Sequence, residues 1–476
     1  MTRYNYTSIL LGLVVISYTA LLFISLDFCY FWDNIQQTSK EAHFFLTTNF
    51  EIFPTNKLNS EFSLTGYHPP LMGLMTAILW KTFGYNIWVS HIFIFFWALI
   101  LIYNLYKLLS IFFSEKHIGW IMLILMFEPT VLTQFVIASP DFILLTALVI
   151  SIRGVIEKKF ILLSVGLFFL FAINMRGVFA GFIFFVAHFV YLINSSKQKN
   201  YFHNLLINFT PYIPTFFILG MYYLIFFMLN GWFFTNSPYS EHYSLPANLN
   251  RTITHFAEFM VRLFENGRFV MWCLAIVSFY WLFKKFRFTN AKLNFIFILF
   301  LGLISNYFLF IFITQMPFSP RYFMPFFLLF SIMVLKGIVE RLNSKHVIIL
   351  FTLLILVELT GNLWIYPEKI AKSWDTTLAH IPYYTLRNEC FNYIDENKIN
   401  YNDIAAGFCL YGSRNIVELN GIQTQISSEP YKKYFLYSNI SNVEDSFALE
   451  LKNKAKWREI KRFEKSFVFI SIYKRI

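Results

Sequence analysis

The chain has 476 residues, 57% of them hydrophobic and only 14% charged, with 61 phenylalanines and a mean hydropathy of +0.54. Soluble domains carry about 25% charge, so this composition excludes an ordinary soluble protein. Long apolar runs without strand-like alternation exclude a β-barrel, and the net charge of +12 sits mostly in short loops between apolar runs, where it orients a membrane protein rather than binding nucleic acid.

Eleven segments are predicted to span the membrane: Ser8–Leu26, Ile87–Phe113, Ile118–Phe135, Phe142–Val155, Phe160–Ile173, Val178–Ile193, Pro211–Leu229, Phe269–Phe283, Leu293–Ile313, Tyr322–Val339 and Val347–Ile365. A helix needs roughly 20 residues to cross the hydrocarbon. The fourth and fifth are short, which requires tilt or shielding by neighbours. The first run begins like a signal peptide but has no small-residue cleavage site, so it is read as a retained span.

Between the first two spans lies a polar stretch of 59 residues, 28–86, far longer than an ordinary interhelical connection. It carries Asp33 within Phe31-Trp32-Asp33-Asn34, then Gln37, Lys40 and Glu41 at helical spacing. A carboxylate here can deprotonate or orient an acceptor, bind a cation, or cap a helix. Gly66-Tyr67-His68-Pro69-Pro70 follows. The paired prolines fix the backbone entering a second amphipathic helix, Leu71–Phe83. His68 at its start can bond a phosphate, join a metal site or cap the helix.

Glu128 precedes Pro129 in the third span, and Asp141 follows Ser139-Pro140 at the mouth of the fourth. Ionisable groups at such depths face a cavity or a partner, not lipid. Arg176, in Asn174-Met175-Arg176-Gly177, and Arg321, in Ser319-Pro320-Arg321-Tyr322, fall at ends of spans on the same side as Asp33. Guanidinium forks suit phosphate oxygens; snorkelling, or pairing with Asp141 or Glu128, is the structural alternative. Arg262 and Arg268 share this logic more weakly.

Arg3, Lys107, Lys116, Arg153, Lys158, Lys159, Lys197, Lys199, Lys284, Lys285, Arg287, Lys292, Arg341 and Lys345 occupy one alternate set of loops, predicted cytoplasmic. With an odd number of spans the N-terminus lies inside, and the Asp33 loop and the C-terminal tail lie outside. From Tyr366 onward the chain turns polar. A helix over Thr385–Asn397 and strands over Asp403–Phe408, Tyr434–Ser438, Trp457–Phe463 and Phe467–Tyr473 predict a small extracytoplasmic α/β domain, 366–476, after a membrane domain, 1–365. Cys390 and Cys409 could pair in an oxidising compartment or stay as free thiols. No Walker, dinucleotide or HExxH motif is present.

The expected fold class is therefore a polytopic α-helical membrane protein with a small C-terminal α/β domain. Trp32-Asp33 in a long first outer loop, Gly66-Tyr67-His68-Pro69-Pro70-Leu71, Ser139-Pro140-Asp141 and Pro320-Arg321-Tyr322-Phe323-Met324-Pro325 resemble the GT-C glycosyltransferases, in particular the family 39 group of protein mannosyltransferases and aminoarabinose lipid A transferases. The resemblance is best over residues 1 to about 180. It implies a GT-C fold of about eleven transmembrane helices and transfer of a sugar from a polyprenyl-phosphate donor to a lipid, glycan or protein acceptor at the outer face of the cell membrane. It also implies inversion at the anomeric carbon, with Asp33 as catalytic base or acceptor-orienting residue. Arg176, Arg321 and His68 would hold the donor phosphate, and Tyr67, Lys40, Glu41, Glu128 and Tyr322 would support them.

Several positions depart from the family pattern. Asn34 stands where many mannosyltransferases have Glu, His68 stands where aminoarabinose enzymes have a basic residue, and the second outer loop has no Asp-x-Asp. Asp33, His68 and Asp141 could hold Mg²⁺, Mn²⁺ or Zn²⁺, and metal-free catalysis is equally tenable. A transporter or flippase of lipid-linked glycans is the alternative function; it would place charges near the midplane, often in repeated halves, and the sequence shows neither. A non-catalytic scaffold would leave the outer-face charges unexplained.

Overall fold

Apolar helices of up to 26 residues dominate the computed structural model, which describes residues 4–53, 68–195, 206–232, 245, 246, 248–286, 290–314, 318–364, 374–441 and 443–476. All eleven apolar segments are helical. The helices are α1 (Tyr4–Ser25), α2 (Glu41–Thr47), α3 (Leu71–Phe83), α4 (Ile87–Phe112), α5 (Glu115–Met126), α6 (Pro129–Val136), α7 (Pro140–Glu157), α8 (Phe160–Ala172) and α9 (Met175–Ser195). They continue with α10 (Ile213–Asn230), α11 (Leu249–Phe264), α12 (Arg268–Phe286), α13 (Ala291–Ile313), α14 (Met324–Arg341) and α15 (Ser344–Gly361). The chain is a multi-pass membrane protein.

Among the described residues, seven helices are long and apolar enough to cross a membrane alone, or eight if a bent pair counts as one. Of the eleven expected spans, the fourth and fifth are already short for a full crossing in the sequence, and the third and eighth join them. The third segment is broken by a 63° bend between α5 and α6. Pro129 lacks the N–H that would continue α5, and Glu128 instead caps α6, accepting from the Val131 N–H at 2.9 Å. Helix α7 carries Arg153 and Glu157 yet is buried along almost its whole length, α8 is only 13 residues long, and the apolar part of α12 is also short. Of these only α7 is enclosed by protein; α8 and α12 leave apolar side chains such as Ile161 and Ile276 exposed.

Helix α7 is placed by punctuation at both ends. The Ser139 hydroxyl accepts from the Asp141 N–H and Pro140 opens the first turn. Lys158 ends it in the left-handed conformation, with Lys159 N–H on the Gly154 carbonyl at 2.9 Å. The chain turns directly into α8, which packs along α7.

The C-terminal module holds α16 (Pro382–Glu396), α17 (Arg414–Glu418), α18 (Asp445–Leu451) and strands β1 (Ile404–Ala406), β2 (Gly412–Ser413), β3 (Gln425–Ile426), β4 (Tyr434–Ser438), β5 (Trp457–Lys465) and β6 (Val468–Arg475). The main sheet has the order β1-β4-β6-β5, with β1 parallel to β4 and the other pairs antiparallel. The helix and four strands expected from the sequence are all present. The β2–β3 pair, α17 and α18 are additional, too short for a periodic signal. Cys390 and Cys409 are both free, as are Cys29 and Cys273.

The module rests on the first long loop. Phe28 stacks on Tyr384 with ring centroids 3.9 Å apart, and Phe31 stacks on His380 at 4.8 Å. The Tyr30 N–H donates to the Val417 carbonyl, and the Ser39 hydroxyl donates to the Ile416 carbonyl. One apolar cluster runs through Tyr30, Phe31, Trp80, Tyr383, Ile404 and Ile470. Loop and module thus share a core beside one end of the helical bundle.

Candidate active site

Asp33 follows Trp32, whose backbone φ is +50°. The Asp33 carbonyl accepts the N–H groups of Gln36 and Gln37 at 3.0 and 2.8 Å, opening a π-helical turn over Ile35–Lys40 that leads into α2. The Asn34 amide donates to the Ile137 carbonyl at 2.7 Å. A left-handed non-glycine residue and a π-helical segment are costly local choices, and such choices gather at functional positions. Their effect here is to hold the Asp33 side chain, about one-third exposed, against Arg321.

Arg321 lies in a 3₁₀ turn, Pro320–Phe323, fixed by Pro320 and by the Tyr322 N–H on the Ser319 carbonyl. Its Nη2 donates to Asp33 and its Nη1 donates to Asp375. Its Nε lies 3.5 Å from Asp141 Oδ2. Arg176 grips Asp141 with two parallel bonds, Nε to Oδ1 at 2.9 Å and Nη2 to Oδ2 at 2.8 Å. The Tyr322 ring packs against both cations, 4.5 Å from the Arg176 guanidinium carbon and 5.4 Å from that of Arg321. An aromatic face beside two desolvated cations offsets part of their mutual repulsion.

Asn174 completes the Arg176 side. Its amide donates to Asp141 Oδ1 and its oxygen accepts the Gly177 N–H, both at 2.9 Å. Gly177 allows α9 to start this close to α8, since a Cβ there would stand 1.9 Å from the Leu170 carbonyl oxygen.

His68 ties the first loop to the same place. Its Nδ1 accepts the Met175 N–H at 3.1 Å, and its Nε2 lies 3.2 Å from the Gln37 side-chain amide. Burial, with the Arg176 and Arg321 charges added, pushes the imidazole well below its ordinary value of 6.5. A neutral ring that accepts at Nδ1 donates from Nε2, so the Gln37 oxygen belongs opposite it.

The cluster borders a cavity with about 230 Å³ of empty space, open solvent included. Asp141, Arg176, Arg321 and Tyr322 form its polar part, and Leu144 and Ala180 belong to its apolar part. A fixed cationic pair beside an apolar cleft can hold an anion with a greasy tail, and a partly exposed carboxylate on one of those cations can take a proton from an attacking group.

The residues predicted from the sequence divide into groups. Asp33, Asp141, Arg176, Arg321 and Tyr322 come together. His68 adjoins them, but its Nδ1 is already taken by a backbone N–H. Glu128 stands apart: Arg268 donates to its Oε1 from Nε at 3.0 Å and from Nη2 at 2.5 Å. Arg262 pairs with Glu265 at 2.9 Å. Glu41 is buried beneath α3, where desolvation raises its carboxyl above the ordinary range and the Gly73 N–H opposes that. Lys40 closes the π-helical turn, half-buried. Tyr67 lies outside the described residues.

Asp33, His68 and Asp141, a metal set in one of the two alternatives open from the sequence, do not converge on one point. Among the described residues no three His, Cys, Asp or Glu side chains are grouped to hold a metal ion. Both carboxylates instead face guanidinium groups, which a cation would have to displace.

Asp375 was not anticipated. It follows the last span in a short 3₁₀ turn, Trp374–Thr376, with its side chain 3% exposed. Burial pushes its carboxyl above the ordinary range, the Arg321 charge opposes this, and Asp33 and Asp141 add to it. In sequence it is one acid among many in a polar tail, without the contrast that made Asp141 visible. Gln134, whose amide donates to the Asp375 carbonyl at 2.6 Å, carries no stronger signal.

No protein-family model matches the sequence, and no curated protein matches it significantly. Solved structures do match. ArnT from Cupriavidus metallidurans bound to undecaprenyl phosphate aligns over 97% of both chains with a TM-score of 0.54 and 11% identity. ArnT from the same organism in the apo state aligns over the same share with a TM-score of 0.55 and 11% identity. At that identity the likeness establishes architecture, and it extends through the C-terminal module as well as the helical bundle. The chain has the fold of ArnT, a GT-C fold.

Proposed function

We propose that this protein is an integral membrane glycosyltransferase that moves a sugar from a polyprenyl-phosphate donor to an acceptor at the outer face of the membrane. The observation that carries this reading is the arginine pair, Arg176 and Arg321, at a partly apolar cavity, with the partly exposed Asp33 on Arg321. The shared fold supports it, since one of the matching ArnT structures is bound to undecaprenyl phosphate.

In this reading the lipid tail lies among the helices and the phosphate meets Arg321 and Arg176. Asp33 accepts the proton of the acceptor hydroxyl as its oxygen forms a bond to the anomeric carbon, opposite the phosphate. The anomeric C–O bond breaks, and its electron pair leaves with the polyprenyl phosphate. The anomeric centre inverts, because one carboxylate serves an attack opposite the leaving group. The two guanidiniums neutralise charge that grows on the departing phosphate. No metal is needed for these roles. His68 acts by fixing the loop that carries Asp33 to the start of α9. The basic loops face the cytoplasm, and the C-terminal module and Asp33 lie outside.

Purified protein in lipid nanodiscs, incubated with labelled polyprenyl-phosphate sugars of several kinds, tests this. Release of polyprenyl phosphate, by transfer to an acceptor or by slow hydrolysis, is the expected result with at least one donor. Donors that stay intact throughout while a labelled lipid-linked glycan crosses the bilayer would replace the reading with transport.

A further inference from the structure

Arg321 is surrounded by three carboxylates that differ in their freedom to leave. The Asp33 side chain is 34% exposed, whereas those of Asp375 and Asp141 are 3% and 4% exposed. With all three ionised, the group of Asp33, Asp141, Asp375, Arg176 and Arg321 carries one formal negative charge. An arriving phosphate must therefore displace a carboxylate rather than add to the set. Water can replace Arg321 at Asp33. Asp141 keeps Arg176 whatever Arg321 does, but removing Arg321 from Asp375 would strand a charge inside the protein, which is far costlier.

Asp375 is also held from behind. Its carbonyl accepts the amide of Gln134, fully buried in α6. Three residues later the Leu378 N–H donates to Asn362 Oδ1 at 3.1 Å, beside the end of α15. Phe31 stacks on His380 and packs with Tyr383 of the same segment. The turn is pinned to the bundle and to the Asp33 loop at once. A guanidinium is a planar fork, so fixing one terminal nitrogen fixes the direction of the other.

We propose that Asp375 is a positioning residue: it holds Nη1 of Arg321 while Nη2 passes from Asp33 to the donor phosphate. This rests on the reading of Arg321 as a phosphate ligand. Its consequence is an order of events. Asp33 is covered by Arg321 until a phosphate takes its place and is free as base only then, so the donor binds before the acceptor is activated.

A double-mutant cycle on affinity for undecaprenyl phosphate, measured with the full-length protein in nanodiscs, tests the proposal. Arg321→Lys keeps the charge but loses the fork, and should weaken binding about tenfold, the loss of one charge-assisted bond. Asp375→Ala should weaken binding to a similar degree, and the double variant should be no weaker than Arg321→Lys alone, because Asp375 acts only through the fork. Asp375→Glu should recover part of the affinity. If Asp375→Ala does not yield folded protein by thermal melt and gel filtration, Asp375→Asn enters the same cycle. Unchanged or tighter binding in the Asp375 variant, or losses that simply add, would overturn the positioning role while leaving the phosphate reading intact. Equal binding by wild type and Arg321→Lys would overturn both.

Discussion

Asp33 accepts a hydrogen bond from Arg321 across 288 residues of chain. The contact joins the first long loop to the turn before α14 and puts a partly exposed carboxylate on a buried cation. Asp33→Asn keeps the shape of the side chain and removes its basicity. General-base groups contribute about 10²- to 10⁴-fold, so sugar transfer should fall by at least about a hundredfold with the melting temperature nearly unchanged. Initial rates beside a thermal melt check this, and full transfer activity would end the assignment of Asp33 as base.

The Asp141–Arg176 pair is buried and bidentate. Removing one partner of such a pair costs about 3–5 kcal/mol, because the other charge is left uncompensated. Asp141→Ala should therefore show a clearly lowered unfolding midpoint, and lose the Asn174 contact with it. A midpoint equal to wild type would mean that water reaches Arg176 freely.

Gly73 lets α3 lie on α2. A Cβ there would stand 2.3 Å from the Glu41 Cβ and 3.0 Å from its Oε2. Gly73→Ala forces the two helices apart and should cost roughly 1–3 kcal/mol. Limited proteolysis of the first loop should accelerate in the variant, and unchanged digestion would show that the loop relaxes at no cost.

His68 makes a pH prediction with a definite sign. Its folded value lies well below the ordinary 6.5, so as pH falls through about 6.5 the unfolded chain takes up a proton that the folded one refuses. Its contribution is present above that pH and is lost as acidity increases. Buried His43 and His380 are shifted in the same direction by burial, so the informative quantity is the difference between wild type and His68→Gln. The variant should lose less stability between neutral and mildly acidic pH. Parallel curves would mean that His68 titrates normally.

Chelation separates the metal-dependent alternative. Asp33 and Asp141 are committed to guanidinium groups, so transfer should continue at an unchanged rate in EDTA. Loss of activity restored by one divalent ion would show that the carboxylates rearrange around it.

Much of this protein is legible in its sequence because the membrane imposes a severe rule. Every backbone polar group within it must be satisfied locally, so spanning segments appear as long apolar helices. All eleven segments are helical, and the strand Tyr434–Ser438 has the expected bounds. Asp141, Arg176 and Arg321 were visible for the same reason: charge at the end of an apolar run stands out. The sequence was weaker wherever protein, not lipid, surrounds a helix. The break at Glu128-Pro129 and the buried, charge-bearing α7 depend on neighbours distant in sequence.

By itself the sequence determined a multi-pass helical bundle, an overlong first loop bearing Asp33 and a polar C-terminal α/β module. Only the tertiary structure decided which charges meet. Arg268 went to Glu128, Arg176 to Asp141, and Arg321 to Asp33 together with an unforeseen Asp375. The physical reason is that ion pairing depends on distance in space and on shared burial. Neither leaves a periodic trace along the chain, whereas the length and hydrophobicity of a span do.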